Sequence, residues 1–263
     1  MAVGTTGESA TLNEEEHLAT VRRVVALVKG RVPVIAGVLD PATDRVIGHA
    51  KTAQSIGVDA VVATAPFYTI TSQSEILEHF RILRGALDLP VIAYDIPVCV
   101  HVKLTRQTVV TLAKEGALAG LKDSSGDDGN FRYVLLDLAD DKDFVLMTGS
   151  EIVVDSVLQM GAHGVVPGLA NVDPHGYVRL WDAAQKGDWA AAKKEQERLC
   201  RLFEIVWVAA GRVSGGATGV GGFKTAMRSL GIIDTNAMAR PRQPLNDAEA
   251  KGVDDILRKV GLK

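Results

Sequence analysis

The feature that most constrains this chain is an alternation. Six short, almost wholly apolar runs recur over the first 167 residues, with amphipathic stretches between them. The runs are residues 33–38 (PVIAGV), 59–64 (DAVVAT), 90–94 (PVIAY), 117–122 (ALAGLK), 144–147 (FVLM) and 163–166 (HGVV). Segments this short with no polar face fit strands covered on both sides. Residues 42–56, 73–87, 105–115, 129–138 and 151–160 fill the gaps as helices. An earlier helix is signalled at Asn13, an N-cap with Glu16 placed to complete a capping box, followed by Leu18, Val21, Val24, Val25 and Val28 at helical spacing. Strict alternation of this kind predicts a parallel sheet with right-handed crossovers. The strand signal stops at Pro167. Residues 177–184, 189–210, 223–230 and 248–260 then read as helices, interrupted by a Gly-rich stretch and by Arg240-Pro241-Arg242-Gln243-Pro244. The predicted organisation is a β/α barrel over residues 1–167 and helices packed on it over 168–263.

Composition narrows the partners. A net charge of −3 offers no basic surface for nucleic acid or an anionic membrane. No apolar run approaches the ~18 residues of a membrane span, and no basic-then-apolar leader opens the chain. Two cysteines, Cys99 and Cys200, form neither a disulfide framework nor a CxxC site. The six histidines lack metal-ligand spacing. A cytoplasmic protein is expected, with no metal or organic cofactor, acting on a small molecule and pairing with copies of itself.

Parallel α/β folds place their chemistry at the C-terminal ends of strands. The residues there are Thr5-Thr6 with Glu8, Phe67-Tyr68, Tyr94-Asp95, Lys122-Asp123, Gly149-Ser150-Glu151 and Val166-Pro167. Lys122 ends an apolar run. A lysine poorly solvated there favours the neutral amine, which attacks ketones to form a Schiff base. The competing placement turns Lys122 outward to pair with Asp123 or Asp127. Tyr94, on the preceding strand, offers a phenol for proton transfer beside an imine; the plainer role is an aromatic core filler. The Thr5-Thr6 turn offers hydroxyls and amides to a carboxylate, or is simply a tight turn. The stretch GGATGVGGFKT, residues 215–225, lacks the order of a phosphate-binding loop and reads as a flexible or interface loop. Cys99 reads as a small buried hydrophobe or a reactive thiol.

Four motifs in order, GTTGESATL, PFY, YDIP and GLKDSSGD, resemble the N-acetylneuraminate lyase and dihydrodipicolinate synthase superfamily over essentially the whole chain. These are pyruvate-dependent class I aldolases on a (β/α)8 barrel, usually tetramers built from dimers. The resemblance implies Lys122 as the Schiff-base lysine and Tyr94 as the proton relay. Thr5 and Thr6 would bind the pyruvate carboxylate, with Thr5 also in the relay. Tyr68 would reach into a neighbouring subunit's site, and Gly149 and Val166 would line the substrate pocket. No cofactor is implied beyond the covalent imine on Lys122.

Two departures stand out. In the dihydrodipicolinate synthase branch an arginine follows the tyrosine motif and grips the carboxylate of aspartate semialdehyde. Cys99 holds that position here, and a thiol makes no bidentate charged pair. With KDSSGD after the lysine, this favours a lyase for 2-keto-3-deoxy sugar acids or related 2-oxo acids. Condensation of pyruvate with aspartate semialdehyde is the alternative, and an inactive barrel that only binds a 2-oxo acid is a third reading. The second departure is the position of GTTGE. The family carries it at the end of the second strand, so the first strand, the first helix and most of the second strand are expected to be absent. Six strands plus a stub at residues 1–4 fit 167 residues better than eight β/α units at roughly 30 residues each. The accompanying expectation is that the start lies upstream and that this chain alone is poorly soluble or inactive.

Overall fold

The computed structural model describes residues 1–263. They form two compact units, Met1–Gly149 with Met160–Val166, and Ser150–Gln159 with Pro167–Lys263.

In the first unit, α1 (Glu14–Val28) starts where the sequence signals it. Asn13 accepts from the Glu16 N–H, and Glu16 accepts in return from the Asn13 N–H. Such a cap contributes about 1 kcal/mol. Then follow β1 (Ile35–Gly37), α2 (Thr43–Ile56), β2 (Ala60–Thr64), α3 (Gln73–Gly85) and β3 (Val91–Asp95). A one-turn helix α4 (Pro97–Val100) precedes α5 (Arg106–Lys114), β4 (Gly120–Asp123), α6 (Asp128–Asp137) and β5 (Val145–Thr148). After α7 (Val154–Gln159), which belongs to the second unit, β6 (Gly164–Val165) completes the sheet. All neighbouring strands are parallel, in the order β1-β2-β3-β4-β5-β6. Strands β2, β3 and β4 are buried at every residue, which is why their sequences carry no polar face.

All six strands read from the sequence are present, and they make up a six-stranded sheet. The expected stub at residues 1–4 is a single bridge. The Ala2 N–H donates to the Ile35 carbonyl at 2.8 Å, and the Gly37 N–H donates to the Ala2 carbonyl at 3.0 Å. Pairing ends there because Val3 adopts φ +46°, which turns the chain into the GTTGE loop. Gly37 permits this approach: a Cβ on it would stand 2.3 Å from the Val3 carbonyl oxygen.

The second unit holds α7, a 3-10 turn over Gly168–Asn171, α8 (Pro174–Gln185), α9 (Trp189–Phe203), a 3-10 turn over Glu204–Trp207, α10 (Gly215–Ser229) and α11 (Asp247–Lys259). Three expectations need correction. Helix α7 begins at Val154, not at residue 151, because the Gln196 side chain accepts from the Val154 N–H at 2.8 Å and donates to the Glu151 carbonyl at 2.9 Å. The helix expected over 189–210 gives way to a 3-10 turn after Phe203; there the Thr218 hydroxyl donates to the Val206 carbonyl and accepts from the Ala209 N–H. The Gly-rich stretch 215–225 is helical, not a loop. Its glycines permit close packing: a Cβ on Gly222 would lie 2.5 Å from the Ile205 carbonyl oxygen. No helix is long and apolar enough to cross a membrane.

Candidate active site

Strand register assembles the centre of the site. Tyr94 on β3 pairs with Lys122 on β4, and the next rung pairs Asp95 with Asp123. Side chains alternate across a strand, so the two rungs face opposite sides of the sheet. Tyr94 packs with Ala60, Val62, Ile92, Ile96 and Val100. Lys122 is 7% exposed, and its Nζ lies 4.0 Å from the centroid of the Tyr94 ring and 3.9 Å from Met1 Sδ. Of the two placements open to Lys122, the structure shows the inward one. Asp127 is engaged as the N-cap of α6, and Asp123 turns to the other rung.

The Thr5 hydroxyl donates to the Tyr94 hydroxyl at 3.4 Å, which links the GTTGE turn to the tyrosine and through its ring to the lysine. Thr6 is half-buried in the same turn. Gly149, just past β5, donates its N–H to the Asp123 carbonyl at 2.7 Å. A Cβ there would lie 1.9 Å from Ser124 Oγ and 3.1 Å from Lys122 Cε. Val166, just past β6, donates its N–H to the Thr148 carbonyl at 2.8 Å and is half-buried. Tyr68 stands apart. It is 93% exposed on the loop after β2, with φ +75°. A non-glycine residue held there costs of order 1–3 kcal/mol, and such strain gathers at functional positions. Cys99 on α4 is exposed and not buried, and Val98 beside it is exposed as well.

A second polar group joins the strand-end residues Asp95 and Asp123 to Lys103, which the sequence reading did not single out. Lys103 donates from Nζ to Asp95 Oδ2 at 2.6 Å and to Ser125 Oγ at 2.9 Å, and lies 4.0 Å from Asp123 Oδ2. Asp95 Oδ1 accepts from the Leu104 N–H at 3.1 Å, and Asp123 Oδ1 from the Ser125 N–H at 2.7 Å. Burial pushes the Asp95 carboxyl up from its ordinary range, against the opposing pull of Lys103. The available signal was positional: an Asp directly follows each of Tyr94 and Lys122.

Residues 1–260 match the Dihydrodipicolinate synthetase family. The chain belongs to that family. It is 32% identical over 260 residues to the 4-hydroxy-tetrahydrodipicolinate synthase of Phenylobacterium zucineum, covering 99% of this chain and 85% of that protein. Among solved structures, the dihydrodipicolinate synthase of Bacteroides thetaiotaomicron superposes with a TM-score of 0.91 at 29% identity, covering 98% of this chain and 85% of that one. The chloride-inhibited dihydrodipicolinate synthase of Acinetobacter baumannii, solved in complex with pyruvate, gives a TM-score of 0.89 at 27% identity, covering 100% and 86%. Membership makes the chain a lyase of the aldolase type on a TIM-barrel fold. The expected absence of a first β/α unit is not confirmed by these matches, which span 85–86% of the length of these relatives.

Proposed function

We propose that this dihydrodipicolinate synthetase family member is a Schiff-base aldolase that makes or breaks a C–C bond of a 2-oxo acid through Lys122. The observation that supports it is the buried Lys122 amine over the Tyr94 ring, with the Thr5 hydroxyl on the Tyr94 phenol. The neutral amine adds to C2 of the 2-oxo acid. Loss of water gives a cationic imine that withdraws electrons from C3. The C3–C4 bond then breaks toward the imine, releasing an aldehyde and leaving an enamine. Protonation at C3 and hydrolysis return pyruvate and the free lysine; the reverse order is aldol addition. Tyr94 carries protons to and from the carbinolamine and the aldehyde oxygen, with the Thr5 hydroxyl acting through its hydrogen bond to the phenol. Hydroxyls and amides of the Thr5-Thr6 turn hold the substrate carboxylate, with Gly149 and Val166 beside it, so that C2 faces the amine. The imine is the covalent link, and the reaction needs no further cofactor. Tyr68, exposed and strained, would complete the site of a second copy in a homo-oligomer.

The preferred substrate is a 2-keto-3-deoxy sugar acid. The supporting observation is the exposed Cys99 where a carboxylate-gripping arginine would be needed for aspartate semialdehyde. Activity as a dihydrodipicolinate synthase is the second reading, favoured by the relatives that carry that name at 31–34% identity. Borohydride reduction with pyruvate tests the shared chemistry, the expected product being a reduced pyruvyl group on Lys122 by mass spectrometry. No adduct would leave only a 2-oxo-acid-binding barrel. Turnover of pyruvate with aspartate semialdehyde, set against a panel of sugar aldehydes, separates the two substrates.

A further inference from the structure

The rung behind the reactive pair carries two buried carboxylates and one shared cation. Asp95 is 1% and Asp123 5% exposed. Asp95 follows Tyr94 on β3, Asp123 follows Lys122 on β4, and the two are register partners. Two such carboxylates repel each other across a sheet unless a cation joins them. The cation comes from outside the sheet. Lys103 lies in the connection between α4 and α5, and its ammonium reaches Asp95, Ser125 and the Asp123 carboxylate together. The Leu104 N–H reinforces this on Asp95 Oδ1. Asp123 Oδ2 has no hydrogen-bond partner, so the Lys103 charge 4.0 Å away is its compensation. The backbone closes around the same point, with the Ser124 N–H on the Asp95 carbonyl and the Gly149 N–H on the Asp123 carbonyl.

We infer that Lys103 is a positioning residue for Lys122. By clamping Asp95, Asp123 and Ser125 on one face, it holds the ends of β3 and β4 in the register that places the Lys122 amine on the Tyr94 ring on the other. The inference rests on the Schiff-base reading of Lys122. The polar contacts of the Lys103 ammonium are with Asp95, Ser125 and Asp123. Its effect is geometric: a misplacement of about 1 Å at the reacting atoms costs up to ~10²-fold in rate, while the carboxylate grip on substrate is untouched.

The test measures the rate of borohydride-trapped pyruvyl adduct formation, and its dependence on pyruvate concentration, in the full-length chain. Lys103→Met should slow the maximal rate roughly 10- to 100-fold and leave the half-saturating pyruvate concentration within about threefold of the parent. Lys103→Arg, which keeps a cation able to bridge both carboxylates, should restore most of the rate. A Lys103→Met protein that traps pyruvate at the parental rate overturns the inference, as does a Lys103→Arg protein as slow as Lys103→Met. If Lys103→Met does not fold, Asp95→Asn decides. That near-isosteric change leaves Lys103 in place, should slow the maximal rate with the same unchanged half-saturation, and overturns the clamp if it does not. Absence of any adduct in the parent protein would strike the Schiff-base reading itself, a result separate from a fast variant.

Discussion

The Lys122 amine rests on the face of the Tyr94 ring, 4.0 Å from its centroid, and the two residues are register partners on adjacent parallel strands. The ring and the hydroxyl of Tyr94 therefore do separable things. The ring covers the amine, and the hydroxyl, in contact with Thr5 Oγ1, is placed to move protons. Tyr94→Phe keeps the first and removes the second. We expect it to retain a trappable pyruvyl adduct on Lys122 while turnover falls about 10²- to 10⁴-fold, the usual worth of a general acid–base group. Lys122→Ala should lose the adduct altogether. Mass spectrometry after borohydride, beside steady-state turnover, reads both; parental turnover in Tyr94→Phe would remove the phenol from the mechanism.

Thr5 gives a smaller, graded effect. Its hydroxyl donates to Tyr94 at 3.4 Å, a long bond, and Val has nearly the same shape. Thr5→Val should lower turnover about 3- to 10-fold, in line with loss of one hydrogen bond of about 1 kcal/mol. It should leave thermal stability close to parental, because the residue is not fully buried. A loss as large as that of Tyr94→Phe would mean that Thr5 acts in the proton relay directly and not through the tyrosine.

Gly149 separates steric from chemical roles. A single methyl there meets Ser124 Oγ at 1.9 Å and Lys122 Cε at 3.1 Å. Ser124 or the chain must shift, at a cost of about 1–3 kcal/mol for overpacking, and the lysine stem is pushed with it. Gly149→Ala should therefore remain folded at 25 °C with a lowered melting temperature and lose turnover at least tenfold by misplacing the amine. Retained turnover with the same drop in melting temperature would show that Ser124 alone absorbs the methyl.

These relationships were legible in the sequence to different depths. The strands show because their runs are short and almost wholly apolar, most plainly β2, β3 and β4, which are buried at every residue, and α1 shows because its capping box is local. Lys122, Tyr94 and Thr5 are visible as chemistry-bearing residues at strand ends, and the β3–β4 register then brings Tyr94 and Lys122 together. What stayed hidden depends on contacts distant in sequence. Gln196 sets where α7 begins from 42 residues away. Thr218 occupies the Val206 carbonyl and the Ala209 N–H in the turn that follows α9. The glycines of 215–225 look like a loop until the Ile205 carbonyl beside Gly222 shows why a side chain is excluded. Lys103 reads as one more surface lysine, since nothing local marks it as the partner of carboxylates 8 and 20 residues away.

His79 gives the fold a pH dependence of its own. It lies on α3, 2% exposed, with Nδ1 at 2.9 Å from the Thr43 hydroxyl on α2 and its ring edge-on to Phe80. Burial disfavours the imidazolium and lowers its pKa from 6.5 to about 4. The unfolded chain takes up the proton near pH 6.5, whereas the folded chain resists it until about pH 4. The contribution is thus complete above pH 6.5 and is lost as pH falls toward 4. Between pH 7 and 5 the loss should reach about 2 kcal/mol. His79→Gln keeps a group that can accept from Thr43 and removes the titration. It should be less stable than the parent at pH 7.5, and the gap should close as pH falls toward 5, when urea midpoints of both proteins are followed together. Parallel midpoint curves over that range would show that His79 is protonated in the folded state as easily as in the unfolded one.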